Sequence, residues 1–131
     1  MPAGKVIVIG NEKGGTGKST LAMHLIVWFL RQGKRVASID LDGRQGTLTH
    51  YIENRADYGE KHGLALGLPE HLTVSVREFP TESERKEDEV AFLYQVEKLK
   101  NENDVVVIDT GGGQRAVPFG SFGGGRFDNT D

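Results

Sequence analysis

Residues 10–20, Gly-Asn-Glu-Lys-Gly-Gly-Thr-Gly-Lys-Ser-Thr, form a glycine-rich segment between two apolar runs. The run before it, 6–9, is rich in β-branched residues and predicts a strand over residues 5–10, and the run after it, 21–30, belongs to a helix predicted over residues 18–32. A strand that turns through glycines into a helix directs backbone N–H groups and the positive end of the helix dipole at one point. The segment therefore predicts a binding site for a polyphosphate group.

The spacing of this segment departs from the general P-loop pattern of glycine, four residues and Gly-Lys-Ser/Thr. Gly17, Lys18 and Ser19 fit the pattern, but Glu12 stands where the first glycine is required. The variant Lys-Gly-Gly-x-Gly-Lys-Ser/Thr, which begins at Lys13, is matched throughout. This variant resembles the deviant Walker A motif of the ParA/MinD superfamily of dimerising ATPases, and its opening residues resemble the MipZ branch most. A simple glycine turn with a solvated lysine is the alternative, but it leaves the flanking strand and helix unexplained.

The residue types in this loop suit phosphate binding. Glycines can adopt positive φ and let the backbone approach phosphate oxygens closely. Lys18 is placed to reach the β- and γ-phosphates, and the Ser19 hydroxyl is placed to bind Mg²⁺. The resemblance implies that Lys13 reaches across a dimer interface to the partner's nucleotide. The predicted site for ATP and Mg²⁺ comprises Lys13, Gly14, Gly15, Thr16, Gly17, Lys18, Ser19 and Thr20.

A second strand, predicted over residues 35–42, ends in the carboxylates of Asp40 and Asp42. In an open parallel sheet, ligands bind beyond the carboxyl ends of the strands, which places both residues near the glycine loop. The resemblance implies that Asp42 orients the attacking water and couples to the metal. The alternative is that Asp42 caps the next turn with Gly43. We favour the catalytic role, because Asp-Leu-Asp-x-x-Gln matches the family in order and spacing. The predicted catalytic residues are Lys13, Lys18 and Asp42.

A third buried strand, predicted over residues 104–109, ends in Asp109. An acid after an apolar strand is the Walker B arrangement, in which the carboxylate holds Mg²⁺ directly or through water. The pattern is weak alone and becomes specific after a P-loop in the same chain. Members of the family usually have Asp-Thr-Pro-Gly here, so Gly111 stands where proline is expected. The predicted metal ligands are Ser19, Asp42 and Asp109.

These elements predict an α/β fold of the P-loop NTPase type, with helices on both faces of a parallel sheet. Residues 18–32 contain no glycine or proline and predict a helix that ends at Gly33. Nearly all of its faces are apolar, so we expect it to be buried. Residues 45–58 predict a second helix, with Thr47 or Thr49 as its cap.

The segment that follows the second helix is predicted to hold a short strand over residues 72–76 and a third helix. A carboxylate-rich run, 81–89, predicts the start of that helix, because acidic groups are favoured near the positive end of the dipole. The helix continues over residues 90–100, and its predicted inward side chains are Ala91, Leu93, Tyr94, Val96 and Leu99.

Three histidines without metal-ligand spacing are predicted to be surface or packing residues: His50, His62 and His71.

Composition excludes several classes of protein. A formal net charge of -3 argues against a protein that coats nucleic acid through its overall electrostatic field. A local basic patch is compatible with this charge. The absence of cysteine excludes disulfides, zinc–thiolate sites and cysteine-held iron–sulfur clusters. The sequence shows neither a signal peptide nor an apolar run of membrane-spanning length. We therefore expect a cytoplasmic protein with no membrane partner.

The resemblance covers residues 4–110, and members of the family are about twice as long as this chain. We therefore expect residues 1–110 to be the N-terminal part of the ATPase domain, truncated after the Walker B strand and marginally stable. Residues 111–131 hold seven glycines and three phenylalanines without apolar periodicity. We interpret them as a non-native tail translated out of frame, because codons for family sequence read in a shifted frame give residues 118–123 and 128–131. The alternative is a genuine flexible tail.

The resemblance implies an ATPase that acts as an ATP-driven dimerisation switch. In the MipZ type, an ATP-dependent homodimer positions the division site by inhibiting assembly of the tubulin-like division protein. It also contacts a ParB-like centromere-binding protein and nonspecific DNA. Three alternatives stay open: a ParA-type chromosome-partitioning ATPase, a binding remnant without turnover, and a phosphotransferase, for which no acceptor site is visible.

Overall fold

The computed structural model describes residues 4–11, 18–41, 46–75, 77 and 79–112. In chain order its elements are β1 (Lys5–Asn11), α1 (Lys18–Arg31), β2 (Val36–Asp40), α2 (Thr47–His62), β3 (Glu70–Thr73), α3 (Glu82–Glu102) and β4 (Val105–Gly112). The strands form a four-stranded sheet in the order β1-β4-β2-β3, and every pairing is parallel. The predicted parallel α/β architecture is confirmed. None of the three described helices has the length and apolar character needed to cross a membrane.

The apolar residues of the sheet alternate between two helical layers. One face packs against α3, through Val8, Ala37, Ile39, Val106 and Ile108 of the sheet and Phe92, Val96 and Leu99 of the helix. The other face packs against α1 and α2, through Ile7, Ile9, Val36, Val105 and Val107 of the sheet and Ala22, Ile26, Leu48 and Ile52 of the helices. β4 lies between β1 and β2, and its side chains enter both clusters, so both of its faces are covered by helices, which explains its uninterrupted apolar run.

Helix α1 is less buried than its composition predicts. Ala22 and Ile26 are fully buried, whereas Leu21 and Trp28 are 49% and 56% exposed. A helix on one side of a sheet buries only the stripe that faces the sheet, and no described element covers the outer side of α1. The expectation of burial on all faces is therefore wrong. The predicted end of the helix is correct, since Gly33 follows it with φ of 80°.

The start of α2 differs from the prediction. Gly46 occupies the cap position and has no side chain to accept a hydrogen bond, so neither Thr47 nor Thr49 is the cap. The short strand that follows α2 is Glu70–Thr73 rather than residues 72–76, and it pairs with β2 at the edge of the sheet.

The predicted acidic start of α3 is confirmed. The Thr81 hydroxyl accepts a hydrogen bond from the Glu84 backbone N–H at 3.0 Å, and the Thr81 N–H donates to the Glu84 carboxylate at 3.1 Å. The predicted inward set is partly wrong, because Ala91 is exposed, Tyr94 is 67% exposed and Phe92 is buried. The buried stripe is Phe92, Val96 and Leu99, at i, i+4 and i+7, whereas Tyr94 lies off this stripe.

Gly4 lies where the backbone before β1 passes close to the backbone at the end of α3. Its N–H donates to the Lys100 carbonyl at 2.9 Å, and a Cβ on Gly4 would overlap the Asn103 carbonyl oxygen and lie 2.9 Å from the Asp104 carbonyl. These are backbone atoms that cannot rotate away. We therefore expect Gly4→Ala to lower the free energy of unfolding by about 1–3 kcal/mol in a urea titration. Gly67→Ala is the control, because its nearest atom is Leu30 Cβ at 3.7 Å; equal losses in the two variants would contradict this account.

Candidate functional site

The glycine loop joins two elements at the carboxyl edge of the sheet. β1 ends at Asn11 and α1 begins at Lys18. Backbone positions place Lys18 and Ser19 in the first turn of α1, and the side chain of Thr20 is described, with its hydroxyl 3.2 Å from that of Tyr51 on α2. The predicted site residues that lie outside the described residues are Lys13, Gly14, Gly15, Thr16, Gly17 and Asp42.

Two buried carboxylates lie side by side at this edge. Asp40 and Asp109 are direct partners in the β2–β4 pairing, and they are 0% and 1% exposed. Strand alternation puts Asp40 on the same face as Val36, and Asp109 on the same face as Val107, which is the face covered by α1 and α2. Adjacent strands lie about 4.8 Å apart, so the two carboxyl groups are neighbours at this edge, and Asp109 is also the partner of Ile9 near the end of β1.

Asp109 has the chemistry that the predicted metal ligand requires. Mg²⁺ prefers carboxylate and other oxygen ligands, and a buried pair of carboxylates favours a nearby cation. Within the described ranges, no three His, Cys, Asp or Glu residues are grouped so that they could hold a metal ion. The other predicted ligands are the Ser19 hydroxyl and Asp42, and the structure describes neither group. Asp109 therefore fits as one member of a metal site.

Asp40 has a structural partner in α2. Its Oδ2 accepts hydrogen bonds from the backbone N–H of Thr49 at 3.0 Å and from the Thr49 hydroxyl at 2.7 Å. Thr49 is the third residue of α2, and its N–H is one that a capping side chain would normally satisfy. Because Gly46 cannot do so, Asp40 supplies the cap from β2 and places a negative group at the positive end of the helix.

His71 extends this contact to β3. Its Nδ1 lies 2.7 Å from the Ser38 hydroxyl and its Nε2 lies 2.9 Å from the Thr49 hydroxyl. The Thr49 hydroxyl donates its single hydrogen to Asp40, so His71 Nε2–H donates to Thr49. In the neutral ring, Nδ1 then accepts from Ser38. We call Ser38, His71, Thr49 and Asp40 the polar relay.

The sequence interpretation missed the polar relay. His71 was predicted to be a surface or packing residue, but both of its ring nitrogens are hydrogen-bonded, whereas His50 and His62 are exposed. The available signal was Ser38, a polar residue inside the fully buried strand Val36–Asp40. A buried hydroxyl requires a hydrogen-bond partner, and the partner comes from β3, whose register only the structure supplies.

The lowered pKa of His71 should make the free energy of unfolding decrease in acid. Burial lowers the pKa of this ring below its ordinary 6.5, and the charges of Asp40 and Glu53 oppose that shift only in part. The unfolded chain then binds a proton that the folded chain resists, so stability falls as the pH drops below about 6.5 toward the folded pKa. Urea titrations should show this loss, with a shallower pH slope in His71→Gln.

His24→Gln is the control for this measurement, because His24 is an exposed residue of α1 outside the polar relay. The control should keep the slope of the parent chain. A parent slope that survives in His71→Gln would contradict the assignment to His71.

Comparisons with known proteins agree with this arrangement. A family model described as ATPase MipZ matches residues 5–118. Chromosome-partitioning ATPase Soj of Thermus thermophilus is 45% identical over 56 residues, which cover 43% of this chain and 22% of Soj. Among solved structures, a plasmid partition protein from Borrelia burgdorferi superposes with a TM-score of 0.54 at 23% identity, over 83% of this chain and 56% of that one. The BceF tyrosine kinase domain superposes with a TM-score of 0.52 at 27% identity, over 88% of this chain and 50% of that one. The chain thus spans about half the length of these solved proteins.

Proposed function

The chain belongs to the MipZ family of ATPases, and on that premise we propose that it binds and hydrolyses ATP with Mg²⁺ as a nucleotide-dependent dimerisation switch. The observation that carries the proposal is the pair of buried carboxylates, Asp40 and Asp109, at the carboxyl edge of the sheet, where Asp109 is the partner of Ile9 near the end of β1. A helix N-terminus attracts phosphate, and an adjacent carboxylate supports the metal that accompanies it. Family membership supports ATPase chemistry, and the roles of individual residues remain proposals.

In this proposal the backbone N–H groups of the glycine loop and the first turn of α1 hold the phosphates. Lys18 would neutralise charge on the β- and γ-phosphates, and Ser19, Asp42 and Asp109 would hold the metal. Bound Mg²⁺ would offset the charge that develops on the transferred phosphoryl group. Asp42 orients the attacking water, and Lys13 contacts the nucleotide of the partner subunit. Two such subunits associate face to face while ATP is bound, and hydrolysis of the ATP lets them dissociate.

Two cellular roles fit this switch. A MipZ-type protein would position the division site in the cytoplasm by inhibiting assembly of a tubulin-like division protein, and the family match favours this role. A ParA-type protein would partition chromosomes with a ParB-like protein and nonspecific DNA, and the similarity to Soj favours that role equally. Co-sedimentation with polymers of the division protein distinguishes them, because only the first role requires an effect on the polymer, whereas the resemblance implies DNA binding for both.

The residue that separates a dimerisation switch from a monomeric phosphotransferase is Lys13. We expect Lys13→Ala to keep Mg²⁺-ATP binding within about threefold of the parent chain and to lose turnover that rises with protein concentration. The physical reason is that a lysine acting in trans contributes only after two subunits meet. Calorimetric titration measures binding, and phosphate release over a range of protein concentrations measures turnover. Equal loss of binding and turnover would count against the switch.

A separate proposal concerns the end of the chain. β4 continues through Gly111 and Gly112, past the boundary at residue 110 read from sequence, and the family match reaches residue 118. Residues 113–131 lie outside the described residues. We keep the interpretation of a non-native tail as a proposal, supported by the glycine-rich composition and the two shifted-frame stretches. Coding DNA without a one-base insertion or deletion near the Thr110 codon would overturn it.

A further inference from the structure

We propose that Tyr51 is a positioning residue of the phosphate site: its hydroxyl donates to the Thr20 hydroxyl and so directs the hydrogen of Thr20 to a phosphate oxygen. The inference rests on the proposed function, because Thr20 belongs to the predicted binding site for ATP. It adds a residue of α2 to a phosphate site that the sequence analysis confined to residues 13–20. Tyr51 does not itself contact the phosphates in this proposal.

The contact between Thr20 and Tyr51 joins the first turn of α1 to α2. The two hydroxyl oxygens are 3.2 Å apart and partly buried, although the residues are 31 positions apart in the chain. Thr20 is the third residue of α1, and side chains in a helix tilt toward its N-terminal end, where anions are favoured. The contact therefore lies at the end of α1 to which the proposed function assigns the phosphates.

Packing of α2 holds Tyr51 in place for this contact. Leu48 and Ile52, which flank Tyr51 along the helix, are buried in the cluster that contains Ala22 and Ile26 of α1. Tyr51 is itself partly buried, so its ring stands on a part of α2 that is fixed by its neighbours. A group on a packed element orients its partner more precisely than a group on a loosely held one.

The direction of the hydrogen bond follows from the chemistry of hydroxyl groups. A hydroxyl has a single hydrogen and can accept two hydrogen bonds. Phosphate oxygens only accept, so Thr20 must use its hydrogen for a bound phosphate, and Tyr51 then donates to Thr20. Without Tyr51, rotation about the Cβ–Oγ1 bond leaves the Thr20 hydrogen in other directions for part of the time. A donor that is already oriented binds more tightly, because no freedom is lost when the ligand arrives.

A contact that only packs α1 against α2 is the alternative, and a double-mutant cycle separates the two. The variants are Tyr51→Phe, Thr20→Val and the double variant, in the chain of 131 residues. Each substitution keeps the shape of the side chain and removes one hydroxyl. Calorimetric titration with Mg²⁺-ATP and with inorganic triphosphate and Mg²⁺ measures affinity, phosphate release measures kcat and KM, and urea titration measures stability. Tyr58→Phe is the matched control, since Tyr58 is in the same helix, 54% exposed and stacked on His62.

Thr20→Val should weaken the binding of both ligands by about 10-fold, and Tyr51→Phe should weaken it by about fivefold. KM for ATP should rise by the same factors at unchanged kcat, because a phosphate contact of this kind holds substrate and transition state equally. The double variant should bind like Thr20→Val alone, because Tyr51 acts only through Thr20. Tyr58→Phe should bind like the parent chain.

A loss of about 50-fold in the double variant, the product of the two single losses, would overturn the inference, because it would show that Tyr51 acts independently of Thr20. Parent affinity in Tyr51→Phe would also overturn it, as would a loss with ATP that is absent with triphosphate. If Thr20→Val does not fold, Thr20→Ala takes its place in the cycle.

A parent chain that binds neither ligand would overturn the proposed function, and the role of Tyr51 at a phosphate site would fail with it. The same cycle measured by urea titration would then still show whether the two hydroxyls interact. A hydrogen bond between them predicts coupling of about fivefold in the unfolding equilibrium constant.

Discussion

Replacing Lys18 with alanine should lower the affinity of the chain for Mg²⁺-ATP by about 100-fold. Lys18 is the first residue of α1, where the helix dipole already favours a phosphate group. A hydrogen bond to a charged group contributes about 1.5–3 kcal/mol, and each 1.4 kcal/mol is a factor of about ten in affinity. Calorimetric titration with Mg²⁺-ATP measures the change directly.

Lys34→Ala is the matched control for this prediction. Lys34 is exposed and follows the other end of α1, so its replacement removes the same charge far from the loop. We expect the control to bind like the parent chain, and both variants to unfold at the parent urea midpoint. If the two lysine variants lose affinity equally, the effect reflects the overall charge of the protein, and the assignment of the phosphate site to this loop is wrong.

Leu99→Ala should largely unfold the chain. Leu99 is 1% exposed and lies in the cluster that joins α3 to the sheet. Truncation of a buried leucine costs about 2–5 kcal/mol, because the transfer free energy is lost and a cavity remains. Small domains are stabilised by about 5–15 kcal/mol in total, and this sheet has few strands to share the loss.

Circular dichroism during a urea titration would measure this loss, with Tyr94→Ala as the control. Tyr94 is in the same helix and is 67% exposed, so its replacement should change the free energy of unfolding by less than about 0.5 kcal/mol. Equal midpoints for the two variants would show that α3 does not stabilise the sheet through this cluster.

The sequence predicted the central strands well, because their information is local. The apolar run of β4 is uninterrupted up to Asp109, and β2 is apolar apart from Ser38 until it ends at Asp40, which is typical of strands covered on both faces. The rule for parallel sheets predicted that Asp40 lies at the carboxyl edge, and the structure adds that Asp109 is its direct partner there. The resemblance to the ParA/MinD superfamily and its MipZ branch is confirmed by the family match.

The features that could not be predicted from the sequence depend on contacts between elements that are distant in sequence. The cap of α2 could not be predicted from its own residues, because Asp40 supplies it from a neighbouring strand. The hydrogen bonds of His71 depend on the register of β3 against β2. The exposure of Trp28 depends on which elements pack on the outer side of α1. The composition of a helix does not show which other elements it contacts. The roles of Lys13 and Asp42 stay predictions, since both residues lie outside the described part of the chain.

β1 is an edge strand of the sheet, and edge strands can pair with other chains. Within the described residues β1 pairs only with β4, so its other side presents the unpaired amides and carbonyls of a seven-residue, largely apolar strand. We expect further copies to add to such an edge by strand pairing, which requires no ATP and increases with protein concentration. Nucleotide-independent clustering of the purified chain, visible as thioflavin binding, would therefore originate at β1 and be distinct from the ATP-dependent homodimer.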